Sequence, residues 1–140
     1  MHRVFLRELL IFAVLLTAAC SSNNATTTTP TPTTPVAITE TFVGTLAPNQ
    51  LAHTHTFAVP NAGTVTATLS SLTPDTTLVI GLSLGTWNGT ACQVVLANDQ
   101  ATQGTTITGT ISAAGNLCVR VYAVGTIPQV ETYQINATHP

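Results

Sequence analysis

Few residues of this chain have the type and spacing for chemistry, and His53-Thr54-His55 is the first group. Residues i and i+2 of a strand point the same way, so both imidazoles could hold one metal ion. A third ligand would have to be His139 or an acid such as Asp75. The competing role is packing, because Phe57 and Val59 continue the same face. Calcium needs several oxygens, at least two of them usually charged. Asp75, Asp99 and Glu131 are isolated acids, and no D-x-D-x-D run occurs. Asp75 after Thr73-Pro74, and Asp99 after Asn98, read as turn residues. Trp87, Tyr122 and Tyr133 could form a platform for a sugar; alternatively Trp87 packs over the Asn88-Gly89 turn. Arg120 reads as a structural cation, paired with Glu131 or Asp75 or stacked on a neighbouring side chain. G-x-S-x-G, H-E-x-x-H and paired-carboxylate motifs are absent, so no catalytic residue is assigned and the chain is expected not to be an enzyme.

Composition narrows the classes further. The 140 residues carry 3 Lys+Arg, all of them Arg, and 5 Asp+Glu. Threonine occurs 29 times. A nucleic-acid partner is excluded, since no basic cluster exists to displace counterions. A disordered acidic chain is excluded too, because 44% of residues are hydrophobic and the net charge is −2.

The chain divides into three parts: 1–19, 20–35 and 36–140. The first has the layout of an export signal. Arg3 and Arg7 precede the apolar run LLIFAVLL (9–16), and small residues follow at Thr17-Ala18-Ala19. That run is too short for a permanent span of a core ~30 Å thick. Residues 21–35 (SSNNATTTTPTPTTP) contain no large apolar side chain. They read as a disordered, extended tether reaching roughly 45 Å at about 3 Å per residue.

The segment Leu16-Thr17-Ala18-Ala19-Cys20 resembles the lipobox of bacterial lipoproteins. The resemblance implies that Cys20 becomes the first residue of the mature protein and carries the lipid. Thr17 departs from the leucine preferred there. Several acyl chains on one residue give stable anchoring, where one is marginal. Ser21 after Cys20 implies sorting to the outer membrane. An ordinary cleaved signal that leaves Cys20 as a spare thiol is the alternative, as is a retained N-terminal anchor.

From residue 36 the hydrophobic period is two. Strands are predicted over 40–46, 52–59, 64–72, about 78–84, 91–97, 105–111 and 117–124, with a last one around Tyr133, Ile135 and Ala137. Residues 117–124 are apolar on both faces, as in a central strand. Seven to eight such strands without helical periodicity predict an all-β, antiparallel two-sheet sandwich. With Cys20 assigned to the signal, Cys92 and Cys118 remain. Export makes a disulfide between them the default, and two buried free thiols the alternative.

Phe42-x-Gly44-x-Leu46, Phe57-x-Val59, Gly63, Asp75-x-x-Leu78, Ala114-Gly115, Val119-Arg120-Val121 and Tyr133 occur in an order and spacing similar to the bacterial pre-peptidase C-terminal domain family. The resemblance implies a jelly-roll-type sandwich, and binding of calcium, collagen or glycans in some members. Cofactors are otherwise expected to be none. Two features depart from the family: Leu117-Cys118 stands where the family's aromatic motif begins, and no peptidase accompanies the domain. The expectation is a non-catalytic, lipid-anchored sandwich at the bacterial cell envelope with a binding or structural role. The alternatives are a module binding a glycan or an envelope protein beside exported enzymes, and a metal-binding periplasmic protein using His53 and His55.

Overall fold

The structure is a computed structural model that describes residues 34–50 and 52–140. The expected export signal, Cys20 and the expected tether up to residue 33 lie outside the described residues. Eight strands follow one another: β1 (Ile38–Leu46), β2 (Ala52–Val59), β3 (Gly63–Thr73), β4 (Ile80–Trp87), β5 (Cys92–Ala101), β6 (Thr106–Ile111), β7 (Gly115–Tyr122) and β8 (Glu131–His139). They form two antiparallel sheets of four, ordered β1-β8-β3-β6 and β2-β7-β4-β5. The first strand pairs with the last, the second with the seventh, the third with the sixth and the fourth with the fifth. This nesting is the jelly-roll order. As its two-faced apolar pattern predicts, β7 is central, between β2 and β4.

The core lies between the sheets. Val65, Ala67, Leu69, Ile107, Tyr133 and Ile135 meet Phe57, Leu82, Leu84, Val119 and Val121 from the other side. The outer face of the β1-β8-β3-β6 sheet is rich in threonine where other domains use Lys and Glu. Register partners there bond through hydroxyls: Thr39 with Thr138 at 2.9 Å and Thr68 with Thr106 at 2.8 Å. Cross-strand hydroxyl pairs of this kind stabilise a sheet and solvate it without charge. The disulfide joins Cys92 to Cys118, with Cα atoms 5.8 Å apart.

Four details differ from the alternation expected. A bulge between Leu69 and Ser71 adds one residue to β3. It turns Leu72 back into the core, where strict alternation would aim it outward. The Asn88-Gly89 hairpin is longer than two residues: Trp87 pairs with Cys92, and Asn88 Oδ1 accepts from the N–H groups of Thr90 and Ala91. Strand β5 runs on to Ala101 with two bulges, so Asp99 lies in a strand and not in a turn. Finally, two tyrosines lie across register-paired glycines. Tyr133 covers Gly44 and Tyr122 covers Gly81, and a Cβ on either glycine would overlap the ring.

Candidate functional site

Strands β1 and β2 are edge strands of opposite sheets, and the histidines predicted as ligands lie on the inner face of β2. Their rings belong to a continuous aromatic row. His53 faces Tyr133 with ring centroids 6.3 Å apart, and His55 meets the edge of Tyr133 at 5.8 Å. His55 Nε2 shares a 2.9 Å hydrogen bond with the Tyr133 hydroxyl. Phe42 stacks on His55 at 5.1 Å and leans on Phe57 at 5.9 Å. Phe57 then stacks on His139 at 5.5 Å. Two phenylalanines therefore separate His139 from His55, and His139 Nε2 is bonded to Glu40 Oε1 at 3.1 Å. The third ligand expected from His139 is not supplied. Asp75 does not supply it either, because its carboxylate accepts from the backbone and hydroxyl of Thr77 in the turn after β3. Among the described residues no three His, Cys, Asp or Glu side chains gather as a metal group.

Burial, and secondly the neighbouring His53, lower the pKa of His55 below its ordinary 6.5. The unfolded chain therefore takes up this proton first on acidification. The folded state keeps its full margin above about pH 6.5 and loses stability as pH falls through the depressed pKa. Urea midpoints measured from about pH 7.5 down to about pH 5 are expected to fall in the parent, and less in a His55→Phe variant. Equal slopes would remove His55 as the cause.

Of the two structural roles read for Arg120, the stacked one is found and the ion pair with Glu131 or Asp75 is not. Its guanidinium lies 5.5 Å from the Tyr122 ring centroid, on the outer face of the sheet. The Tyr122 hydroxyl donates to Asp99 Oδ1. Burial, and then that bond, push the Tyr122 pKa up to about 12. The expected partners of Arg120 are engaged elsewhere. Glu131 is fully buried and accepts from the Asp75 N–H at 3.0 Å and from Gln129 Nε2 at 3.3 Å.

The three-aromatic platform is also not assembled. Tyr133 is buried in the core. Tyr122 pairs with Gly81 at the start of β4, and Trp87 is at the other end, six residues or roughly 20 Å away along the strand. Trp87 instead walls a concavity of about 640 Å³ with Thr56, Ala58, Asn88 and Asn116. A second concavity, about 430 Å³, opens between edge strands β5 and β6 and is lined by Val65, Leu84, Val95, Leu96 and Ile111. Neither is lined by a charged side chain.

No family model and no curated protein matches the sequence. Among solved structures, the chain is similar to Aeromonas hydrophila PliG, a periplasmic lysozyme inhibitor of g-type lysozyme. The TM-score is 0.49 and the identity 12%, over 74% of this chain and 86% of that one.

Sequence reasoning did not anticipate the β5–β6 opening. Its signal was present in the run Val94-Val95-Leu96, exposed by 46%, 70% and 36% in a strand that alternation cannot bury. The role of Tyr133 was also missed, because its partners His55 and Gly44 are distant in the chain.

Proposed function

We propose that this protein is an exported, lipid-anchored, non-catalytic β-sandwich that binds an uncharged partner at the bacterial cell envelope. The observation that carries the binding role is the division of its side chains. Groups able to transfer protons or hold metals, such as His53, His55, His139 and Tyr133, are taken up in the aromatic row between the sheets. The open concavities present indole, amide, hydroxyl and aliphatic groups instead. Ligand sites dominated by such neutral groups bind and orient; they do not supply an acid or base.

Export is supported by the 1–19 signal and by the Cys92–Cys118 disulfide, which persists in oxidising compartments. Anchoring at Cys20, and outer-membrane sorting through Ser21, follow from the lipobox resemblance. Membership of the pre-peptidase C-terminal group is supported by the jelly-roll order and by Gly44, whose bare Cα makes room for Tyr133. Mass spectrometry of the mature N-terminus is expected to find acylated Cys20, with the chain in the outer-membrane fraction. An unmodified thiol at Cys20, or a start elsewhere, overturns the anchor.

A further inference from the structure

We propose that the outer face of the β2–β7–β4 sheet, at the Trp87 end, binds a neutral oligosaccharide. This rests on the binding role proposed above and names its ligand class. Leu84, Leu117 and Phe57 point into the core, so strand alternation places Trp87, Asn116 and Thr56 together on the opposite, outward face. Together with Ala58 and the Asn88-Gly89 turn they line an open depression of about 640 Å³, room for roughly one or two sugar rings.

The chemistry of the lining fits a pyranose. An indole offers a flat apolar face for the C–H side of a sugar ring. The Asn88 carbonyl oxygen is taken by the Thr90 and Ala91 N–H groups, which leaves its NH₂ to donate. Asn116 and Thr56 are exposed and can each donate and accept, as sugar hydroxyls do. None of the five charged side chains among the described residues lines the site, so nothing there would hold an ionic ligand.

The site is also covalently braced. Cys92 is the register partner of Trp87, and Cys118 is the register partner of Thr56. Their disulfide joins β5 to β7, the two strands that flank the Trp87 strand β4. A sheet face whose strands are cross-linked in this way loses little entropy when a ligand binds.

Trp87 is the only tryptophan in the chain, so its emission reports on this site alone. The full chain in detergent is titrated with the hexamers of N-acetylglucosamine and of β-1,4-linked glucose, up to about 10 mM, well above a weak ~1 mM dissociation constant. A saturable change in emission with at least one sugar is expected. Calorimetry should find binding lost in Trp87→Ala and about tenfold weaker in Asn116→Ala, an exposed position whose loss cannot unfold the core. No change with either sugar overturns the proposal, as does unchanged affinity in Asn116→Ala and Trp87→Ala. Sugar binding that survives both substitutions keeps the general binding role and removes this site. A negative titration beside an acylated Cys20 removes the site and leaves the anchor standing.

Discussion

A Tyr133→Ala variant is expected to lose about 3–5 kcal/mol of folding stability, the usual cost of truncating a fully buried aromatic residue. Tyr133 is the largest fully buried side chain among the described residues. It lies over the bare Cα of Gly44 and fills the gap between the two edge strands β1 and β2. Removing it takes out the ring that links His53 to His55 in the aromatic row, and leaves both β2 histidines facing a void. Tyr133→Phe separates packing from hydrogen bonding. It keeps the ring and removes only the 2.9 Å bond to His55 Nε2, so about 1 kcal/mol is expected. Urea titration of the three proteins measures both steps. A Tyr133→Ala cost below about 1 kcal/mol would mean that the β1–β2 side of the sandwich collapses around the gap. Burial also pushes the Tyr133 hydroxyl up to about 12, so ionisation of this residue should coincide with unfolding in strong base.

The second large effect is expected from the disulfide. A double Cys92→Ala, Cys118→Ala variant should lose about 3 kcal/mol, because the bridge closes a loop with a sequence separation of 26. That loop leaves the β2-β7-β4-β5 sheet to form β6 and then returns, so in the unfolded chain the cross-link restrains segments that belong to both sheets. The folded state loses something as well. The bridge reaches from β5 to β7 past Gly85, where a Cβ would overlap the Gln93 backbone. Without it nothing covalent holds the β5 edge down, and that edge exposes Val94, Val95 and Leu96. Edge strands of this kind pair with other chains when no lysine blunts them, and this chain has no lysine. Light scattering of the reduced or alanine protein is therefore expected to rise at concentrations where the parent stays monodisperse. A midpoint unchanged by thiol reductant would overturn this account.

Much of the fold was legible because it is written in a period of two. Thr64, Thr66 and Thr68 alternate with Val65, Ala67 and Leu69, and a sheet with one wet and one dry face is the arrangement that solvates both sets. The paucity of charge was likewise legible, as was the turn at Asn88-Gly89. The pairing of Cys92 with Cys118 followed once Cys20 was assigned to the signal. Where the reading failed, the cause was a local insertion or a distant partner. The bulge at Leu69/Ser71 changes which face Leu72 takes, and no alternation rule announces it. The two bulges in β5 carried Asp99 out of a turn and into contact with Tyr122.

The sequence by itself determined the alternation, the neutral threonine surface and the set of residues available for chemistry. Only the tertiary structure decided which of those residues meet. His53 and His55 share a face as their spacing requires, yet the jelly-roll order puts β8 opposite them, and β8 brings Tyr133 and not a metal ligand. Trp87 and Tyr122 are both aromatic and both near glycines in space or sequence, yet they occupy opposite ends of one sheet. Side-chain direction along a strand is a local property set by backbone geometry. Partnership across a sandwich is set by strand order and register, which depend on contacts between segments as much as 99 residues apart, such as Thr39 with Thr138.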